Sequence, residues 1–390
     1  MKKHKILYLD HGSKTIGGGQ INTLSLLVSL NKDIFEPVIL TSLENKFTIA
    51  ARKAGIKVDV IPLPKELTSI GRYSVKYDPY HLFLYTLHSL KFLLALRKYI
   101  IEKKVDLLHP CDNLMRVFSG LIAKVMNKPI VCPIMDDFEL SITSRILRYI
   151  FLNTMDYILP VSEKSASFFR GKDKYNHKIL VTHTGIDLEQ YTDEVISSGE
   201  KERQTLYGDK YVVGIVGRLI PLKGHRELFK ALNTLKHELS TCFVCLVVGD
   251  GPDLMSLKAL AVKLSIEKDV VFMGFQHDIP KIMSTMNIVV VPSHEEASSR
   301  VVLEAAALKI PTIGTRVGGI PEMISENKTG LLVEQGDISA LARAMKELTD
   351  ESIRQEMGGA GYERVNTYFS NSVITKKIED IYLKAIHNKN

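Results

Sequence analysis

The sequence has few cysteines and no long apolar run, and each lack excludes a class of protein. Four cysteines in 390 residues cannot form the disulfide framework of a small secreted domain. Cys242 and Cys245 lie three apart in TCFVCLVVGD, a predicted buried strand, so their side chains point to opposite faces and no redox or zinc pair is expected. The most apolar segment, LHSLKFLLALRKYII, carries three basic residues and does not resemble the roughly 18 uncharged residues of a membrane span.

The amino-terminal segment MKKHKILYLD also lacks the apolar core of a signal peptide. Its apolar run follows the lysines and is interrupted by Asp10, so we predict a first β-strand here and a cytoplasmic protein. Neither predicted sheet opens with G-x-G-x-x-G after its first strand, which disfavours a dinucleotide-dependent dehydrogenase.

The net charge of +7 is unevenly distributed along the chain. Residues 1–200 carry 27 Lys and Arg against 21 Asp and Glu, whereas residues 201–390 carry 24 against 23. The basic, amphipathic stretch 87–104 adds to this asymmetry. It predicts docking at an anionic membrane surface, although an ordinary solvated surface and a core helix are the alternatives. We expect no nucleic-acid partner.

Short apolar runs alternate with longer amphipathic stretches, which predicts an α/β fold with parallel sheets. The pattern restarts after the polar stretch 197–210, interpreted as a linker. We therefore predict a first Rossmann-like domain over 1–197, a second over 198–370 and an amphipathic helix over 371–390 that returns to the first domain. In such sheets, ligands bind beyond the carboxyl ends of the strands, so the loops there are the places to look for a site.

Two of these loops have features of an anion site. GIVGRLIPLKGH, at 214–225, places Arg218 and Lys223 after a strand, where two cations suit a diphosphate. The alternative is two surface cations near a helix start, a mildly unfavourable place without an anion. HGSKTIGGGQ follows the first strand, and its glycines allow a ligand to approach the backbone closely. A merely permissive turn is equally consistent with that second loop.

HEEASSRVVLEA, at 294–305, sets two carboxylates around a predicted helix start. Ser298 or Ser299 is a suitable N-cap, so Glu296 lies in the loop and Glu304 about one and a half turns into the helix. We expect Glu304 to face solvent when no ligand is bound. The alternative is a capping carboxylate followed by an exposed helix glutamate.

These motifs together resemble those of the GT-B, family-4 type glycosyltransferases. The resemblance is carried by PSHEEASSRVVLEAAALKIPTIGTRVGGIPEMISENKTGLLVEQGD, with two glutamates eight apart followed by Gly-Gly-x-Pro-Glu and Gly-Leu-Leu. GRLIPLKG, VGDGP and GGGQ are similar to further loops of that family. The resemblance covers nearly the whole chain and implies two Rossmann-like domains that face each other across a cleft.

The resemblance also implies roles for individual residues. Glu304 would bind the ribose hydroxyls and Glu296 a hydroxyl of the donor sugar, while Arg218 and Lys223 would neutralise the departing diphosphate. Further donor contacts would come from Gly17, Gly18, Gly217, Ser298, Ser299 and Arg300.

This sequence departs from the family pattern at two places. Ser298 and Ser299 replace an aromatic or apolar residue followed by Gly or Pro, which affects the shape of the sugar pocket. Met135 stands where many members have a histidine. Asp136 is our candidate substitute for contacting acceptor or sugar. His109 is a second candidate, although a structural histidine fits that position equally well.

The resemblance implies a retaining glycosyltransferase that uses a UDP- or GDP-linked sugar and needs neither metal nor cofactor. The acceptor would be a glycan or lipid-linked molecule in cell-envelope or polysaccharide synthesis, reached by a cytoplasmic enzyme at the inner face of the membrane. The alternatives are a sugar-nucleotide epimerase on the same fold and a non-catalytic, sugar-nucleotide-binding partner subunit.

Overall fold

The computed structural model describes residues 3–12, 18–64, 67, 79–135, 142–171, 173–238 and 242–389. The chain divides into two compact units. The first consists of residues 1–161, 165–182 and 374–390, and the second of residues 162–164 and 183–373.

The first unit alternates strands and helices. Its strands are β1 (His4–Asp10), β2 (Phe35–Thr41), β3 (Lys57–Val60), β4 (Leu107–Pro110), β5 (Val131–Ile134) and β6 (Tyr157–Pro160). Its helices are α1 (Gly18–Ser29), α2 (Lys46–Lys53), α3 (Pro79–Glu102), α4 (Asn113–Met126), α5 (Ile142–Thr154), α6 (Glu163–Phe169) and α7 (Asp173–Asn176), with α16 (Asn371–His387) at the end of the chain.

The sheet of the first unit is parallel. β3, β2, β1 and β4 are hydrogen-bonded in that order, β5 pairs with β6, and a single bridge from Leu108 to Ile130 continues the order from β4 towards β5. The chain order reverses at β1, so its neighbours are β2 and β4. Ile378, Ile381 and Tyr382 of α16 pack in one cluster with β1 residues such as Tyr8, which confirms the predicted return of the last helix.

The second unit has the same rhythm. Its strands are β7 (Tyr211–Val216), β8 (Phe243–Val248), β9 (Val270–Gly274), β10 (Ile288–Val291), β11 (Thr312–Thr315) and β12 (Gly330–Val333). Its helices are α8 (Asp193–Tyr207), α9 (His225–Glu238), α10 (Leu254–Lys263), α11 (Ile279–Met283), α12 (Arg300–Ala307), α13 (Ile320–Met323), α14 (Ile338–Glu347) and α15 (Glu351–Tyr368).

The six strands of the second unit form one parallel sheet in the order β12-β11-β10-β7-β8-β9. β7, β8 and β10 are almost wholly buried, as expected for central parallel strands covered by helices on both faces. This is the Rossmann strand order, and its reversal lies between β7 and β10. The predicted α/β class with two Rossmann-like domains is confirmed, and the reversal marks where a ligand site belongs.

The boundary between the units differs from the predicted one at residue 197. The predicted linker 197–210 lies largely within α8, which is capped by the Thr192 side chain and belongs to the second unit. Gly199 permits the helix to approach Ser284 closely, because a Cβ atom there would be 2.0 Å from Oγ of Ser284. The composition suggested a linker because few apolar side chains of α8, among them Ile196 and Tyr207, pack on the core.

Helix length and apolarity bear on membrane insertion. Among the helices that the structure describes, none is both long and apolar enough to span a bilayer.

Candidate active site

The loops that follow β7 and β10 interlock at the strand-order reversal of the second unit. The main-chain N–H of His294 donates to the carbonyl of Leu222 at 2.8 Å. Gly224 has a left-handed φ of +71°, and a Cβ atom there would lie 1.9 Å from the carbonyl oxygen of Pro292. Because each loop fixes the other, the side chains that they carry are presented together at the carboxyl edge of the sheet.

Lys223 and Glu296 form an ion pair across these two loops. Ser293 Oγ also donates to Glu296 at 3.3 Å, and both members of the ion pair are largely but not fully buried. Arg218 lies exposed on the same loop as Lys223. The structure thus brings together the cation and the carboxylate that the sequence assigned to the phosphate and the sugar.

The Gly-Gly segment after β11 holds the Glu296 loop in place. The N–H of Gly319 donates to the carbonyl of Glu296 at 2.9 Å. Gly318 has a φ of +54°, and a Cβ atom there would be 1.6 Å from the same carbonyl oxygen. A side chain at this position would therefore displace the backbone that carries Glu296.

Glu304 is buried, and our expectation that it faces solvent is wrong. Only 8% of the residue is exposed, because α12 packs against β10, β11 and α15. Its Oε1 accepts from Nε of Arg300 at 2.8 Å, and the hydroxyl of Tyr191 lies near the carboxylate. Burial raises the pKa of Glu304, while Arg300 and Tyr191 act in the opposite direction.

One of the two predicted serines is the N-cap of α12, although its side chain does not cap the helix. The N-cap is Ser299, which is buried but makes no side-chain cap hydrogen bond, and Arg300 is the first helical residue. Ser298 instead donates from Oγ to Oγ1 of Thr184 at 2.9 Å. Both serines therefore lie at the predicted place, with their side chains used for packing and for a hydroxyl contact.

Glu322 is a residue whose contacts the sequence did not reveal. It accepts hydrogen bonds from the N–H groups of Glu163 and Lys164, and it pairs with Nε2 of His183 at 3.0 Å. Burial opposes ionisation, but these contacts outweigh it and lower the pKa of Glu322. The sequence signal for Glu322 was its place in GGIPE, where it lies in the first turn of α13.

His109 is a structural residue, so its prediction as an acceptor or sugar contact is wrong. The ring is 2% exposed within β4, and Nδ1 lies 2.7 Å from the hydroxyl of Tyr382, which in turn bonds to Tyr8. Burial, with a smaller effect of the Arg116 charge, lowers the pKa of His109 to about 3. A neutral histidine inside a tyrosine network is consistent with the structural alternative.

Asp10, His11 and Asp112 meet at the strand-order reversal of the first unit. Asp112 accepts from the main-chain N–H of His11 at 2.8 Å, and its Oδ1 lies 3.1 Å from Nδ1 of the same residue. Gln20 Nε2 donates to Asp10 at 2.8 Å, and burial next to Asp112 raises the pKa of Asp10. The sequence signal for this cluster was that its three residues lie at or just after the carboxyl ends of β1 and β4.

The donor atoms of these three residues lie within 4.8 Å of one another, a set that could bind a cation. Their oxygens are already occupied by N–H donors, among them Met115 on Asp112, so a cation would have to displace these bonds. The absence of a metal requirement therefore stays a prediction. Gly18 is exposed at the first position of α1, while Gly17 and Asp136 lie outside the described residues.

Two family models match the chain. Glycosyltransferase Family 4 matches residues 46–190 and Glycosyl transferases group 1 matches residues 198–364, which together are most of the chain. The second match contains all the motifs of the interlocked loops described above.

Curated relatives and solved structures agree with these models. N-acetyl-alpha-D-glucosaminyl L-malate synthase of Bacillus anthracis is 25% identical over 84% of this chain and 87% of its own. The UDP-Gal:alpha-D-GlcNAc-diphosphoundecaprenol alpha-1,3-galactosyltransferase of Escherichia coli is 23% identical over 77% and 81%. HepE from Anabaena, in a crystal structure with UDP, matches with a TM-score of 0.80 at 21% identity, over 97% of this chain and 100% of its own.

The second of these proteins is by name a transferase of sugar from a nucleotide donor, and HepE has also been crystallised with UDP-glucose. The strand order, the interlocked loops and the paired glutamates fit the same family. The chain therefore belongs to the glycosyltransferases of the GT-B fold, family-4 type.

Proposed function

We propose that the protein transfers a sugar from a nucleoside-diphosphate sugar, with UDP as the favoured nucleotide, to a glycan or lipid-linked acceptor with retention of configuration. The observation that carries this is the pairing of Lys223 with Glu296 at the strand-order reversal of the second sheet. A cation and a carboxylate there match the two charges that a nucleotide sugar needs, one for its diphosphate and one for its hydroxyls. UDP is favoured because HepE was crystallised with UDP and UDP-glucose.

An exchange of partners explains how the ion pair serves the reaction. The diphosphate of the donor takes the place of Glu296 beside Lys223, and the released carboxylate accepts a hydrogen bond from a sugar hydroxyl. Arg218, exposed on the same loop, supplies a second positive charge. Charge that grows on the leaving diphosphate is then stabilised where it forms, which is the interaction that accelerates a transfer.

Retention follows in this proposal from reaction on one face of the sugar. The acceptor hydroxyl attacks as the diphosphate leaves, the new glycosidic bond replaces the broken one, and the acceptor proton passes to a leaving phosphate oxygen. No metal is required because Arg218 and Lys223 carry the positive charge. A lipid-linked or glycan acceptor is supported by the Escherichia coli relative, whose name specifies a diphosphoundecaprenol-linked sugar.

A donor panel tests this proposal. A ligand that binds only the folded state raises its unfolding temperature, so we expect UDP-sugars to stabilise the protein more than GDP- or ADP-sugars. NMR can monitor the slow hydrolysis of the preferred donor. If the donor is α-linked, the first sugar released should be the α-anomer. If none of the nucleotide sugars stabilises the protein, the proposal is contradicted. Release of the β-anomer would contradict retention. Stabilisation without hydrolysis or transfer would favour the non-catalytic alternative.

Replacing Glu304 with Gln should weaken UDP binding by about 1.5–3 kcal/mol, since hydrogen bonds to a charged group contribute about that much. Because Glu304 is buried against Arg300, the change should also lower the free energy of unfolding by about 1–3 kcal/mol. Calorimetric titration with UDP and urea unfolding measure the two effects separately. Unchanged UDP affinity would contradict the ribose assignment.

We also propose that the first unit docks at an anionic membrane surface through α3. One face of this helix, including Phe92 and Leu96, is buried in the core. The other face exposes more than half of Leu90, Leu94 and Ile101. Exposed basic side chains accompany them at Lys91, Arg97, Lys98 and Lys104. The core-helix interpretation describes the buried face, and the exposed face, with apolar side chains next to cations, supports the proposed docking at a bilayer interface.

Sedimentation with vesicles tests this docking. Each cation near an anionic surface contributes about 1 kcal/mol, so the protein should pellet with anionic vesicles and be released by high salt. Changing Lys91, Lys98 and Lys104 to Glu should abolish pelleting, whereas the same change at three exposed lysines of the second unit, Lys230, Lys263 and Lys268, should not. Equal pelleting with neutral and anionic vesicles would count against the electrostatic docking.

A further inference from the structure

Glu304 shares a buried cluster with Arg300 and Tyr191. Arg300 is the first residue of α12, one turn before Glu304, and its Nε lies 2.8 Å from Oε1 of the carboxylate. Burial and then the charge of Glu304 raise the pKa of Tyr191, and the charge of Arg300 lowers it, so its hydroxyl lies close to both side chains. Tyr191 is 4% exposed, so the three groups interact where water competes little.

Tyr191 is held by its own surroundings and can act as a fixed reference for the other two. Its N–H donates to the carbonyl of Leu188, which closes a short 3-10 turn. The chain just before this turn is anchored by Ile186, whose main chain bonds to Phe369 and Asn371. A side chain on so constrained a segment restricts the rotamers of the groups bound to it.

We propose that Arg300 and Tyr191 are positioning residues, which hold the Glu304 carboxylate charged and in one orientation for the ribose of the nucleotide. This inference rests on the proposed function, because it takes Glu304 as the ribose ligand. An ionised carboxylate offers only acceptors, which suits two ribose hydroxyl donors, whereas a protonated one would itself be a donor. In this scheme the Arg300 side chain therefore acts through Glu304 and does not itself touch the substrate, and the predicted donor contact of Arg300 is made by its main-chain N–H.

The sign of the pH effect follows from burial. Burial raises the pKa of Glu304, and Arg300, by charge and hydrogen bond, and then Tyr191, by hydrogen bond, limit that rise. If UDP binds the ionised form, affinity is full above this pKa and is lost as the pH falls through it. Removing Arg300 raises the pKa of Glu304 further, so the loss of affinity begins at a higher pH.

Other charged groups on elements packed against α12 have partners of their own. Glu322 is bound to His183, Arg354 donates to the carbonyls of Leu348 and Thr349, and Arg364 donates to those of Glu322 and Met323. Glu356 and Glu363 on α15 are exposed to solvent. Every variant below retains these groups, so their titration is common to all the curves.

The experiment measures the affinity of the full chain for UDP by calorimetry from pH 5 to pH 8.5. Arg300→Met should shift the acid limb of the affinity curve to higher pH, so that the loss of affinity is about tenfold or more at low pH and smaller at high pH. Tyr191→Phe should shift it the same way by less. Arg300→Lys keeps the positive charge but loses the planar guanidinium group. Its affinity should fall off at nearly the same pH as that of the unchanged protein, but the affinity should be weaker at every pH.

Two controls separate this outcome from a general structural defect. Lys309→Met removes a cation that pairs with Asp193 at 2.9 Å near the end of the same helix, and its curve should coincide with that of the unchanged protein. Glu304→Gln should remove the acid limb altogether.

The remaining outcomes are decisive in different ways. If the unchanged protein binds neither UDP nor GDP, the proposed function fails. If it binds UDP but Arg300→Met and Tyr191→Phe follow the same pH curve, the positioning role fails and the proposed function stands. Should Arg300→Met not fold, a Tyr191→Phe curve that coincides with that of the unchanged protein would still overturn the inference.

Discussion

Replacing Lys223 with Met is expected to lower kcat by about 10²–10³-fold, the usual effect of removing one group that stabilises charge in a transition state. Lys223 is poised for this role because it carries a partly buried charge whose partner, Glu296, is on the neighbouring loop. Binding of the intact donor should weaken by less, about tenfold. The diphosphate of the donor is already charged before the reaction, and Lys223 interacts with that charge in the bound donor as well as in the transition state. Only the additional charge that forms in the transition state makes the effect on kcat larger than the effect on binding.

Companion variants locate the origin of the effect. Arg218→Met should also lower kcat, since Arg218 lies on the same loop, whereas Lys230→Met on the exposed face of α9 should not. Glu296→Gln leaves Lys223 without its ion-pair partner, so it should raise the affinity for UDP alone while lowering turnover. Steady-state kinetics with the preferred UDP-sugar measure these effects. A rise in KM with unchanged kcat in Lys223→Met would mean that the lysine only binds.

The fold and the main site loops could be predicted because their signals are local. Alternating apolar runs gave the strands, and strand ends gave the loops that carry Lys223 and Glu296. The eight-residue spacing placed Glu304 correctly on α12. Each of these inferences needs only the periodicity of one element and the rule that ligands bind at the carboxyl ends of parallel strands.

Features that depend on distant parts of the chain could not be predicted in this way. Glu304 is buried because α12 packs against β10, β11 and α15, and Tyr191, more than a hundred residues earlier in the chain, affects its pKa. His109 has a buried hydrogen-bond partner because α16, at the other end of the chain, brings Tyr382 to it. No local pattern reports such a partner. The Gly-Gly pair after β11 was visible as a motif, but the sequence could not show that it packs against the main-chain carbonyl of Glu296.

The contact between Gly318 and the Glu296 carbonyl leads to the second large effect, a loss of turnover and stability that we expect for Gly318→Ala. Two separate costs arise at this position. A non-glycine residue at φ +54° is disfavoured by roughly 1–2 kcal/mol. The new Cβ would also lie 1.6 Å from the carbonyl oxygen of Glu296, so the backbone of that loop has to move. A displacement of about 1 Å at a reacting centre can lower a rate by about 10²-fold, so kcat should fall by at least that much.

Gly55→Ala is the matched control that separates strain from collision. Gly55 follows α2 with a left-handed φ of +75°, and nothing lies within 4 Å of a Cβ atom placed there. This variant should lose only the roughly 1–2 kcal/mol of backbone strain and keep its turnover. Gly318→Ala should lose more stability than that in urea unfolding and also lose turnover, because the Glu296 loop no longer rests on a bare backbone. Equal stabilities and equal turnover in the two variants would show that the Gly318 contact does not position the Glu296 loop.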